Sequence, residues 1–168
     1  VITNKEEVCG DFEKLINLQL KEKHPKSWMR AFFNMGLINY IEGSRRMLPC
    51  QAGEMNFFVE PYGDIYPCNG LEKKYWKKSM GDIRETPNFK EIWEGEQAEQ
   101  VRQMVRRCPK NCWMVGTASP VMHKYIKYPL KWALKNKLRS LQGKTACLDK
   151  CWYNVGQDPS QGDLRDVF

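Results

Sequence analysis

The stretch Cys50-Gln-Ala-Gly-Glu-Met-Asn-Phe-Phe-Val-Glu-Pro-Tyr-Gly-Asp-Ile-Tyr-Pro-Cys68 decides how this chain is read. A polar spacer leads from Cys50 into Asn56-Phe57-Phe58-Val59, Pro61-Tyr62-Gly63-Asp64 holds turn formers, and Ile65-Tyr66-Pro67 returns to Cys68. Aromatic and β-branched residues on either side of a Pro/Gly/Asp turn predict a β-hairpin. One thiol stands just before it and another at its exit. Three chemistries would place them so: a disulfide, a metal site, or two unrelated buried thiols.

The 168-residue chain holds 7 cysteines, an odd number that leaves one over in any complete disulfide pairing. No run approaches the roughly 18 apolar residues of a membrane span, and the N-terminus has neither the basic start nor the apolar core of a signal peptide. The protein is therefore expected to be cytoplasmic, where thiols stay reduced and bind metals more often than they form disulfides. A hydrophobic fraction of 42% with 12% aromatics supports a real core and argues against disorder over most of the length. The first residue is Val1, and Val1-Ile2-Thr3 reads as the end of a buried strand, so a piece of a longer polypeptide is expected.

Helical patterns flank the hairpin. Residues 11–23 place Phe12, Leu15, Ile16 and Leu20 at helical spacing, with Asp11 as N-cap. After His24-Pro25, Ser27 caps a second helix in which Trp28/Met29, Phe32/Phe33, Gly36/Leu37 and Tyr40/Ile41 recur every four residues, until Glu42-Gly43-Ser44 ends it. Beyond the hairpin, Asn69 to Ser79 reads as a loop and Met80-Gly81-Asp82-Ile83 as a third strand or a turn. Thr86-Pro87 starts a helix with Phe89, Ile92 and Trp93 on its apolar face, and Gly95 breaks it before Ala98, Val101, Met104 and Val105 resume as far as Cys108. Ser119-Pro120 opens a last helical segment, which Pro129 should kink or split. From Gly143 the pattern fades into Cys147-Leu-Asp-Lys-Cys151 and a polar tail.

Cys108-Pro-Lys-Asn-Cys112 is a compact pair directly after a helix. Joined to Cys50 and Cys68, it makes four sulfur ligands, enough for either tetrahedral zinc or a four-iron cluster. Spacing alone leaves both open. Cys147 and Cys151 read equally as ordinary tail thiols and as additional ligands, and Cys9 as a buried core thiol. Neither His24 nor His123 forms a ligand set, and no catalytic Ser/His/Asp or Cys/His arrangement is present.

Cys50, twelve residues, Gly63, four residues, Cys68 is similar to the opening motif of SPASM and twitch domains, the auxiliary-cluster extensions of radical S-adenosylmethionine enzymes. Val59-Glu-Pro-Tyr-Gly-Asp-Ile-Tyr-Pro-Cys68 resembles the family's hairpin, and the likeness continues through Met80-Gly81-Asp82-Ile83, Phe89-Lys-Glu-Ile-Trp93 and the later cysteine pair. A full SPASM domain has seven ligand cysteines for two clusters, whereas only Cys108 and Cys112 follow the gap here, as in the single-cluster twitch type. The resemblance implies a 4Fe-4S cluster held by Cys50, Cys68, Cys108 and Cys112, shielded by Phe57, Phe58, Tyr62 and Tyr66, and serving as electron relay or substrate support. Zinc would readily fill the same thiolates in protein purified in air.

The implied architecture is α+β: a small hairpin-centred metal-binding domain flanked by helices and preceded by the helical end of a partial α/β barrel. Its divisions are 1–47, the barrel remnant; 48–115, the cluster-binding domain; 116–142, a basic helical extension; and 143–168, a cysteine-containing tail. The Cys-x-x-x-Cys-x-x-Cys triplet that holds the catalytic cluster in that enzyme class does not occur. The chain is thus not expected to cleave S-adenosylmethionine, which would enter only through a missing N-terminal radical SAM domain. That domain, an electron donor, and a peptide or small-molecule substrate are the expected partners.

The net charge of +7 is unevenly spread, with no acidic residue between Gln100 and Leu148. Such a segment suits nucleic acid, a membrane surface or an acidic partner. A solvated face, or one docked against missing parts of the polypeptide, is the favoured reading, since no nucleic-acid-binding motif accompanies the charge. The alternative function is a zinc-stabilised, non-enzymatic module whose basic segment binds nucleic acid.

Overall fold

The computed structural model describes residues 3–69 and 78–149. The strand end expected at Val1-Ile2, most of the loop from Asn69 to Ser79, Cys151 and the tail beyond it lie outside the described residues. In chain order the elements are α1 (Lys5–Lys21), α2 (Pro25–Ile41), β1 (Phe58–Val59), β2 (Asp64–Tyr66), β3 (Gly81–Asp82), α3 (Phe89–Glu94), α4 (Glu96–Arg106), α5 (Val115–Lys124) and α6 (Lys127–Leu141). The class is α+β.

Counting described residues alone, one compact unit takes in 3–49 and 110–149, and the other takes in 50–69 and 78–109. The first is helical. Its core holds Ile16 and Leu20 of α1, Phe32 and Met35 of α2, Trp113, and Trp132 of α6, with Met47 and Leu48 buried among them. The Phe32 ring lies edge-on to both Trp113 and Trp132, at 6.5 and 5.6 Å between centroids. Gly36 makes room for this arrangement, because a β-carbon there would fall 2.1 Å from the Trp113 indole.

Two polar devices close the unit. Lys137 Nζ donates to the carbonyls of Leu20, Lys21 and Glu22, at 2.8, 3.1 and 2.9 Å, and so satisfies acceptors that the end of α1 leaves over. Asn136, fully buried, donates to the Trp132 carbonyl at 3.0 Å and accepts from the Cys147 amide at 2.7 Å. With Asn17 accepting from the Ala146 amide at 2.8 Å, it holds the chain after α6 against the helices.

Several helix boundaries differ from expectation, for local reasons. Helix α1 starts at Lys5, so Asp11 is not a cap but sits inside it, paired with Lys14 at 2.9 Å. Helix α2 starts at Pro25, whose fixed φ suits the first helical position, rather than after Ser27. Asn88, not Thr86, caps α3 by accepting from the Lys90 amide at 3.2 Å. Helix α5 begins at Val115, before Ser119-Pro120. The break before α6 falls at Tyr125 and Ile126, leaving Pro129 buried in the first turn of α6, where a missing N–H costs little.

The second unit is the hairpin and its supports. β1 and β2 pair antiparallel with Phe58 opposite Tyr66, and β2 pairs antiparallel with β3. The Pro-Tyr-Gly turn forms as read: Gly63 has φ +92, and its amide donates to the Glu60 carbonyl at 2.9 Å. Ile65 of β2 is fully buried with Met80, Ile92, Ala98 and Val101, so the sheet's inner face lies on α3 and α4.

Candidate metal centre

The spacer after Cys50 is a tight turn. The Gly53 amide donates to the Asn56 carbonyl at 2.8 Å, and Gly53 itself has φ +76. Asn56 Nδ2 donates to the carbonyl of Pro67 at 3.1 Å, which ties the spacer to the residue just before Cys68. Arg102 of α4 donates to the Gly53 carbonyl at 2.8 Å, and Arg106 pairs with Glu54 at 3.2 Å. These bonds hold the two arms of the hairpin and α4 in one register.

Cys108 follows α4 directly, its amide donating to the Val105 carbonyl at 3.0 Å. Cys50, Cys68 and Cys108 are each half-buried and lie against the small apolar cluster of Ala52 and Val105. Three thiols remote in sequence thus share one patch of the second unit. Cys9, Cys50, Cys68, Cys108, Cys112 and Cys147 are all thiols rather than disulfides.

Among the described residues, no three His, Cys, Asp or Glu side chains form a group that could hold a single metal ion. Tetrahedral zinc draws its thiolates to about 3.8 Å of one another, given a Zn–S bond of about 2.3 Å. An iron–sulfur cluster spans more space and spaces its thiolates wider.

Cys112 belongs to the other unit and is fixed there by its neighbours. Asn111 Nδ2 donates to the Ser44 carbonyl at 2.9 Å, and the Trp113 indole N–H to the Phe33 carbonyl at 2.9 Å. Arg46, 7% exposed, donates to the carbonyl of Cys112, to that of Leu48 at 2.9 Å and to that of Thr117 at 3.1 Å. The guanidinium carbon also stands 5.4 Å from the centre of the Trp113 ring. One buried cation therefore fixes the backbone at Cys112 and at Leu48, two residues before Cys50.

Residues 50–114 match the family model of SPASM, an iron–sulfur cluster-binding domain. This segment is similar to a SPASM domain. Neither a curated protein nor a solved structure matches the chain. The SPASM segment takes in Cys50, Cys68, Cys108 and Cys112 and leaves out Cys9 and the Cys147 loop. The thiol patch of Cys50, Cys68 and Cys108 lies within the matched segment.

Other candidate residues fall as follows. Cys147 sits in the first unit, with its Sγ 2.6 Å from Asp149 Oδ2. Cys9 packs against the helical core, and its thiol is held above the ordinary value, chiefly by burial and further by Glu42 and Glu13. His24 precedes α2, and His123 is exposed.

The expected aromatic shield is corrected at Tyr62, which is 70% exposed at the turn. Phe57 turns instead to Phe89 and Trp93, at 4.8 and 5.8 Å between ring centres. Tyr66 is buried. In the sequence Arg102 shows only as one cation of the basic stretch and Arg46 only as part of the run leading to Cys50, with no sign that each fixes backbone carbonyls. The available signal was an arginine abutting the apolar run Met47-Leu48-Pro49, and another on the apolar side of an otherwise regular helix.

Proposed function

We propose that this chain is the auxiliary-cluster part of a radical S-adenosylmethionine enzyme, with Cys50, Cys68, Cys108 and Cys112 holding one four-iron cluster. The observation that carries the reading is the SPASM segment itself, which encloses these four cysteines and gathers three of them on one patch. Four thiolates match the ligand demand of such a cluster. When bound, the cluster supplies a one-electron relay to the active site, and full cysteine ligation disfavours direct coordination of substrate.

The chain's own residues do the holding. Asn56 and Arg102 keep the Cys50 and Cys68 arms in register. Arg46 fixes the peptide of Cys112. Residues 1–47 then serve as the helical end of a partial barrel whose catalytic part would precede Val1. An N-terminal radical SAM domain, an electron donor and a peptide or small-molecule substrate are the corresponding partners.

Protein purified without air tests this directly. It should contain about four iron and four sulfide per chain, and should lose its visible absorbance on chelation. Stoichiometric zinc without sulfide in such a preparation would refute the reading.

A further inference from the structure

Helix α6 turns apolar side chains outward. Its inner face buries Pro129, Trp132, Ala133 and Asn136. On its other side Ile126, at the N-cap, and Leu130, Leu134, Leu138 and Leu141 are exposed, from 42% at Leu130 to 72% at Leu141. Spacings of four and three residues set these five in one stripe along the helix. Lys127, Lys131 and Lys135, all exposed, each follow a stripe residue by one position and so line one flank.

A surface helix ordinarily shows polar residues to water. This one shows leucine and lysine together and carries five Lys and Arg with no Asp or Glu. The acid-free stretch from 101 to 147 surrounds it. Pro129 sits in the first turn and leaves α6 continuous from Lys127 to Leu141.

Leucines flanked by cations define what can cover both at once. A phosphate backbone would take the lysines and leave the leucines against water. The boundary of an anionic bilayer takes both, the side chains of the stripe entering the acyl region and the ammonium groups meeting lipid phosphates. No helix among the described residues is long and apolar enough to cross a membrane, so the contact would lie in the surface plane. We infer that the outer face of α6 docks the protein on an anionic lipid surface.

Co-sedimentation of the full chain with vesicles tests this, using phosphatidylcholine alone and phosphatidylcholine mixed with phosphatidylglycerol. Binding is expected to the mixed vesicles only, and to weaken as salt rises. Lys131→Gln with Lys135→Gln should weaken it about 30-fold, and Leu134→Ser with Leu138→Ser should abolish it. All four side chains are exposed, so both variants should keep the parent's circular dichroism and melting temperature. The inference fails if the chain ignores both vesicles, binds phosphatidylcholine equally, or binds mixed vesicles undiminished in the leucine variant. It also fails if the stripe instead mediates self-association that the leucine variant abolishes, or if the lysines serve duplex RNA or DNA binding indifferent to the leucines.

Discussion

The guanidinium of Arg46 donates to the carbonyl of Cys112, and the same cation also holds the carbonyls of Leu48 and Thr117. A residue 7% exposed thus fixes two segments that lead to and from the cysteines. Buried carbonyls left without donors cost about 1–3 kcal/mol each. Arg46→Met should therefore destabilise the protein by about 3–5 kcal/mol in denaturant titration. Arg46→Lys should recover only part of this, because an ammonium lacks the planar fork that reaches three acceptors. Equal stability of the methionine variant and the parent would show that the three bonds contribute nothing net.

Two glycines in neighbouring helices should respond oppositely to alanine. At Gly10, inside α1, an added β-carbon meets nothing within 4 Å. Gly10→Ala should stabilise by about 0.5–1 kcal/mol, by restricting the unfolded chain and favouring helix. At Gly36 the β-carbon would meet the Trp113 ring at 2.1 Å, and the ring is itself tied to the Phe33 carbonyl. Gly36→Ala should cost about 2 kcal/mol or more despite its helix propensity. Paired thermal melts read both signs, and a stabilising Gly36→Ala would mean that Trp113 moves freely.

The hairpin was legible because its signals are local: the turn residues, the aromatic and β-branched residues beside them and the flanking cysteines all lie within one short stretch. The existence of each helix was legible too, from periodicity. Asp11, Ser27 and Thr86 misled as caps because a capping side chain competes with other starts, and here Pro25 and Asn88 offered better ones. Arg46 was illegible for a different reason: its acceptors are backbone carbonyls as far off as Thr117, and backbone acceptors leave no mark in sequence. The split announced by Pro129 was legible as well: α5 ends at Lys124 and α6 begins at Lys127, which leaves the proline in the first turn of α6, where its missing N–H costs little.

Cys9 offers a prediction in pH. Its thiol is raised above the ordinary value, with burial the largest cause. Folding therefore favours the protonated form, so the stability this contributes is complete below the unfolded thiol's pKa and is lost as pH rises through the higher folded value. Since the thiolate is the nucleophile, iodoacetamide at mildly alkaline pH should modify Cys9 more slowly in folded than in unfolded protein. Mapping the modified peptide by mass reads this directly, and equal rates would rule out the shift.

Individual serine substitutions separate ligands from bystanders. Cys50, Cys68 and Cys108 share the Ala52 and Val105 patch, and Cys112 lies within the SPASM segment, whereas Cys147 lies outside it in the helical unit. Metal binding that accompanies folding makes ligand loss a loss of stability as well. Cys68→Ser, Cys108→Ser and Cys112→Ser should each lower iron and sulfide content sharply and lower the melting temperature of anaerobically purified protein. Cys147→Ser should leave both near the parent's values, since the Cys147 amide, not its sulfur, makes the bond to buried Asn136. Iron loss in Cys147→Ser as great as in Cys68→Ser would show that the ligand grouping is wrong, whatever the cluster's type.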